Sequence, residues 1–205
     1  FADVDLEVAS GEKVAIYART MAARMSLARV LAGLESPSSG SVSYNDVDLR
    51  HLDLNRINPY RGFMIDSQLS LMDGTIADNI VWRRSSVSYD DVRWALRLTQ
   101  LQEEIATLPQ GIDSNISALG EVPAPAHILR ILLARAIVGR PQLLIFDGMI
   151  HDMQPSLRDA ILRRICSKEE SWTVLFVSND PNLTTYVDRR IALDDSGPSV
   201  PLLPS

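Results

Sequence analysis

The chain has 205 residues, is 46% hydrophobic and 22% charged, and carries a net charge of −6 at pH 7, the profile of a globular domain long enough to bury a sizeable core. The acidic balance argues against a dedicated nucleic-acid surface. Cys166 is the single cysteine, which excludes a disulfide framework or a cysteine-based metal cluster, and no apolar run is long enough to span a bilayer.

The chain opens directly on an alternating segment, Val4, Leu6 and Val8 between Asp3, Asp5 and Glu7, as a piece cut from a longer protein does. The alternation predicts a half-buried strand. Gly11 turns the chain into an apolar strand over residues 14–17, which its uniform hydrophobicity places centrally in a sheet. A helix follows, expected from about Arg24 to Ala32 and stopped at Gly33. A strand feeding a helix through a short connection is where a phosphate-binding loop of pattern G-x-x-x-x-G-K-[ST] sits. Its four fixed positions here hold Ala18, Ala23, Arg24 and Met25, so the frame is present without the usual chemistry.

Further along, Pro37-Ser38-Ser39-Gly40 reads as a turn, and residues 41–44 as a short strand ending at Asn45-Asp46. Residues 63–66 form another apolar strand. From there to Gly139 the pattern turns helical, with helices expected over 76–81, 89–98, 101–108 and 128–138. The sheet resumes with a strand over 143–147 that ends on Asp147. A helix over 156–166 follows, then strands over 174–177 and 191–193. Strands alternating with helices imply a mostly parallel sheet with right-handed crossovers. The tail from Ser196, with three prolines, is expected to be loose.

The order of these segments resembles the nucleotide-binding domain of an ABC transporter over nearly the whole chain. Gly74-Thr75-Ile76-Ala77-Asp78-Asn79-Ile80 matches the G-T-I-x-x-N-I segment of the exporter type, and Leu108-Pro109-Gln110-Gly111-Ile112-Asp113 matches the L-P-x-G-x-D run before the signature. Leu31-Ala32-Gly33-Leu34 with Pro37-Ser38-Ser39-Gly40, Ala134-Arg135-Ala136, and Pro141-Gln142-Leu143-Leu144-Ile145-Phe146-Asp147 fall in the right order and at near-constant spacing. The resemblance implies an α/β fold: a P-loop NTPase-like, mostly parallel sheet core with an antiparallel N-terminal β portion and an inserted helical subdomain. Residues 1–66 and 140–195 then form the core, 67–139 the helical subdomain with the signature, and 196–205 a loose tail. It also implies ATP and Mg²⁺ as ligands, a second nucleotide-binding domain and a membrane-spanning exporter domain as partners, and a place on the cytoplasmic face of a membrane.

Carried over residue by residue, the family's functional motifs are altered. The Walker A stretch is Ala18, Arg19, Thr20, Met21, Ala22, Ala23, Arg24, Met25 and Ser26. Two of its glycines are alanines, for which a left-handed backbone costs on the order of 1–2 kcal/mol each, so a strained phosphate cradle is expected. Arg24 keeps the lysine's charge on a bulkier, forked group. Met25 replaces the hydroxyl that ligates Mg²⁺, and a thioether is a poor ligand for so hard a cation; Ser26 serves instead only if the helix is one residue out of register. Asp147 keeps the Walker B carboxylate, while the glutamate that activates water is Gly148. The D-loop becomes His151-Asp152-Met153-Gln154, and the switch histidine becomes Asn179, which cannot take up a proton near neutrality. The signature falls on Pro123, Ala124, Pro125, Ala126 and His127, without its serine hydroxyl and with a proline that has no N–H to give. The Q-loop glutamine maps to Ser67, or to Gln68 with a one-residue shift, and Gln68 is preferred.

Plainer readings stand beside these. An arginine at a helix start is more often solvated than phosphate-bound, and an aspartate at a strand end caps loops as well as binding metals. His127 and His151 lack partners at metal-ligand spacing, so surface histidines are expected. Tyr17, Trp82, Trp94 and Trp172 are expected to pack, and Cys166 to be a buried small residue. The sequence thus points to an exporter-type nucleotide-binding domain with altered chemistry, structural or regulatory in role, the alternative being a weakly ATP-binding or residual ATPase domain that drives dimer closure.

Overall fold

A computed structural model describes residues 4–65, 70–119, 124–148, 153–194 and 197–199. Strand β1 (Lys13–Ala18) is flanked by β6 (Thr173–Val177) and β7 (Arg189–Asp194), and β5 (Leu143–Asp147) and β4 (Arg61–Met64) continue the sheet beyond β6. All these pairings are parallel, with Ala15 opposite Phe176 and Asp147 opposite Val177. β8 (Gly197–Ser199) adds an antiparallel edge, and β2 (Ser43–Tyr44) with β3 (Val47–Asp48) forms a separate antiparallel hairpin. Asn45 and Asp46 both take positive φ, 49° and 64°, the mirror-image turn that fits the twist of a two-residue hairpin. The expected α/β fold, mostly parallel with a small antiparallel portion, is the fold observed.

The central strands β1, β5 and β6 bury residues on both faces, and each face has its own cluster. Val14, Ile16, Ile145, Leu175, Val177 and Ile191 meet Leu27, Ala28 and Ala32 from helix α1 (Met21–Leu31) and its end. The opposite face carries Ala15, Leu144, Phe146, Val174 and Phe176, with the two phenylalanine rings stacked at 5.1 Å. It is covered by α3 (Ile76–Val81), α4 (Tyr89–Leu98), α5 (Gln102–Ala106), α6 (Pro125–Ile137) and α7 (Pro155–Ile165), which extend the same cluster. A short helix, α2 (Leu54–Ile57), precedes β4. Gly62 marks the closest approach between layers: a Cβ there would stand 2.1 Å from the Ala136 carbonyl oxygen, so only glycine lets β4 lie against α6. At the start of β1 the buried Lys13 donates through Nζ to the carbonyls of Gly11, Glu170 and Trp172 at 2.8–2.9 Å, so its charge closes a turn instead of reaching solvent.

Several expectations need correction. Residues 4–9 form no strand; Leu6 and Val8 pack on the α1-side cluster, and an extended segment alternates with period two whether or not its amides are paired. Helix α1 starts at Met21, three residues before the expected Arg24, because the Thr20 hydroxyl caps it. Helix α6 starts at Pro125, not Ile128, since proline is well suited to a first helical position. The tail is not wholly loose, because residues 197–199 pair with β7. Trp172 packs as expected, edge-on to Trp94 and with its indole N–H on the Ile165 carbonyl, whereas Tyr17 and Trp82 are exposed.

Candidate functional site

The carboxyl ends of β1, β5 and β6 lie side by side, the edge of an open α/β sheet where ligands gather. Of the Walker A stretch, Ala18 is the buried last residue of β1. Only Arg19 and Thr20, both exposed, separate it from α1. None of residues 18–26 takes a left-handed conformation. The expected strained cradle is therefore absent: the alanines do not bend into glycine geometry, and the chain passes into helix instead. The Thr20 hydroxyl accepts from the Ala23 N–H at 3.2 Å and the Thr20 carbonyl from the Arg24 N–H at 3.0 Å, so two of the amides that would face a phosphate are used in building the helix. Met21 and Ala22 are exposed, Ala23 and Met25 half-buried, and Ser26 exposed. Ser26 follows Arg24 by two residues, which places it about 200° round the helix from the arginine. Its hydroxyl does not stand in for the missing one.

Arg24 is the centre of the site. Its Nε donates to Asp147 Oδ1 at 2.7 Å; the arginine side chain is 13% exposed and the carboxylate fully buried. Gly148 lies beneath the guanidinium with φ +66°, and a Cβ there would stand 3.1 Å from Arg24 Cζ. The arginine therefore neutralises the Walker B carboxylate and covers the place from which a glutamate at 148 would project. This contact was not legible in the motif pattern, although arginine for lysine together with glycine for glutamate was its only signal. Among the described residues the donor set does not fit Mg²⁺: the hydroxyl position is the Met25 thioether, residue 148 is a glycine with no carboxylate, and Asp147 is bonded to Arg24. Among the described residues no group of three His, Cys, Asp or Glu side chains is arranged to hold a metal ion.

Asn179, just past β6, accepts the Ala18 N–H on its side-chain oxygen at 3.2 Å and so pins the end of β1. Ala124 and Pro125 are exposed at the start of α6, which has no side-chain cap. Ala126 is half-buried. His127 is not a free surface histidine: Nε2 contacts Glu104 Oε2 of α5 at 2.8 Å while Nδ1 is buried without a partner. Glu104 also receives both terminal nitrogens of Arg130, whose hydrogen bonds hold its carboxyl below the usual carboxylate range. Of the described hydrogen bonds of the signature stretch, the His127 side-chain contact runs to α5 and the others stay within α6, and none of them reaches Arg24 or Asp147. Pro123, Ser67, Gln68, His151 and Asp152 lie outside the described residues.

Comparison with known proteins places these motifs in context. The family model for the ABC transporter matches residues 1–150. The chain is 21% identical over 192 residues to the "Probable multidrug resistance ABC transporter ATP-binding/permease protein YheI" of Bacillus subtilis, covering 94% of the chain and 33% of that protein. It is 28% identical over 202 residues to the nickel import ATP-binding protein NikE of Escherichia coli, covering 95% of the chain and 74% of that protein. Among solved structures, a bacterial Atm1-family ABC exporter with ATP bound superposes with a TM-score of 0.83 at 23% identity, covering 97% of the chain and 35% of the exporter chain. The chain spans about a third of the length of the Bacillus relative. With the family model covering most of the chain and the sheet, helices and motif positions in the family's order, the chain belongs to the ABC transporter family.

Proposed function

We propose that this chain is the nucleotide-binding domain of an ABC exporter with a structural or regulatory role and without ATP hydrolysis. In this reading it pairs with a second such domain beneath a membrane-spanning partner, on the cytoplasmic face of the membrane. One observation carries the reading: the Arg24 guanidinium is bonded to the buried Asp147 and lies over Gly148. A built-in cation holds the carboxylate that serves Mg²⁺ in the family, and no side chain at 148 can orient water. Thr20, capping α1, and Ser26, on the far side of the helix from Arg24, supply no replacement hydroxyl. The exporter-type segment is intact in its own geometry: Thr75 and Asp78 form a reciprocal cap on α3, and the buried Asn79 bonds Met72, Thr75 and Arg135. That order supports a docking surface kept while the chemistry was lost.

Calorimetry with Mg·ATP, repeated without Mg²⁺, tests the reading. The expected result is absent or millimolar binding that does not depend on the metal. Micromolar binding that requires Mg²⁺ overturns it in favour of a residual ATP-binding domain whose closure still drives its partner.

A further inference from the structure

We draw no further inference here: the strongest candidate, the mostly apolar pocket of about 270 Å³ that Tyr17, Leu183 and Ala192 line between β1, β7 and the turn after β6, carries no proposal, because nothing among the described residues shows what covers it.

Discussion

Arg24 and Gly148 act as one unit, and each explains the other. A side chain at 148 would crowd the guanidinium, and an arginine at 24 without Asp147 would lose its bonded carboxylate. Removing the arginine takes its bonded cation from the buried carboxylate, and breaking a buried pair costs about 3–5 kcal/mol. Arg24→Met is therefore expected to lower the melting temperature by roughly 10 °C, at about 2–4 °C per kcal/mol for a domain of this size, and an unchanged melting temperature contradicts the pairing. On the proposed function, restoring the family's glutamate alone is not expected to give hydrolysis. Gly148→Glu puts a Cβ on a residue at φ +66° and 3.1 Å from Arg24 Cζ, so the variant is expected to be less stable than the native chain by about 1–2 kcal/mol from the backbone alone and to hydrolyse no ATP. Measurable turnover from Gly148→Glu sinks that account. Much of this was legible in the sequence as a set of wrong residues at motif positions. That the wrong residues fit one another was not legible, because pairing across 123 positions of chain is set by the sheet register and not by local pattern.

Among the elements, boundaries were readable where capping chemistry and apolar periodicity agree. Helices α3 and α4 and strand β5 begin and end where the pattern places them: Thr75 with Asp78, and Ser88 with Asp91, form complete capping boxes. Helix α1 was misjudged because Thr20 lies inside a stretch whose family pattern is a loop, and its capping role became visible only in the structure. The start of α6 was misjudged although Pro125 is a first-turn signal. The two capping boxes make a pH prediction. Bonds from the backbone and hydroxyl of Thr75 hold Asp78 below its ordinary pKa, and bonds from the hydroxyl and backbone of Ser88 do the same for Asp91. Folded values below the unfolded ones mean stability that is complete above about pH 5 and lost as pH falls through the folded values, below about 4. Replacing both acids, Asp78→Asn with Asp91→Asn, is expected to lower the melting temperature at pH 7 and to flatten its decline between pH 5 and pH 3. Parallel declines for native and doubly substituted chains reject the assignment.

At the scale of the molecule, the two apolar clusters are the part of the sequence most plainly written. Strands apolar on both faces demanded helices on both faces, and the motif order fixed which helices follow which strands. Side-chain placement at the sheet's carboxyl edge was not written in this way, since polar residues there answer to each other across β1, β5 and β6. The same edge bears on assembly. The family resemblance implies that nucleotide is sandwiched between one domain's Walker A and the other's signature, and in this chain both are altered. In the proposed reading two copies would bring together two net charges of −6 around polyphosphates without a bound Mg²⁺ to neutralise them, and like charges brought into one interface oppose association. A stable interface of ordinary size, about 1,600 Å², would have to form against that repulsion. Sedimentation velocity of the purified chain is accordingly expected to give the same monomeric coefficient with and without millimolar Mg·ATP. A dimer that appears only with nucleotide would mean that Arg24 leaves Asp147 when phosphate arrives, and that the carboxylate edge is a working site after all.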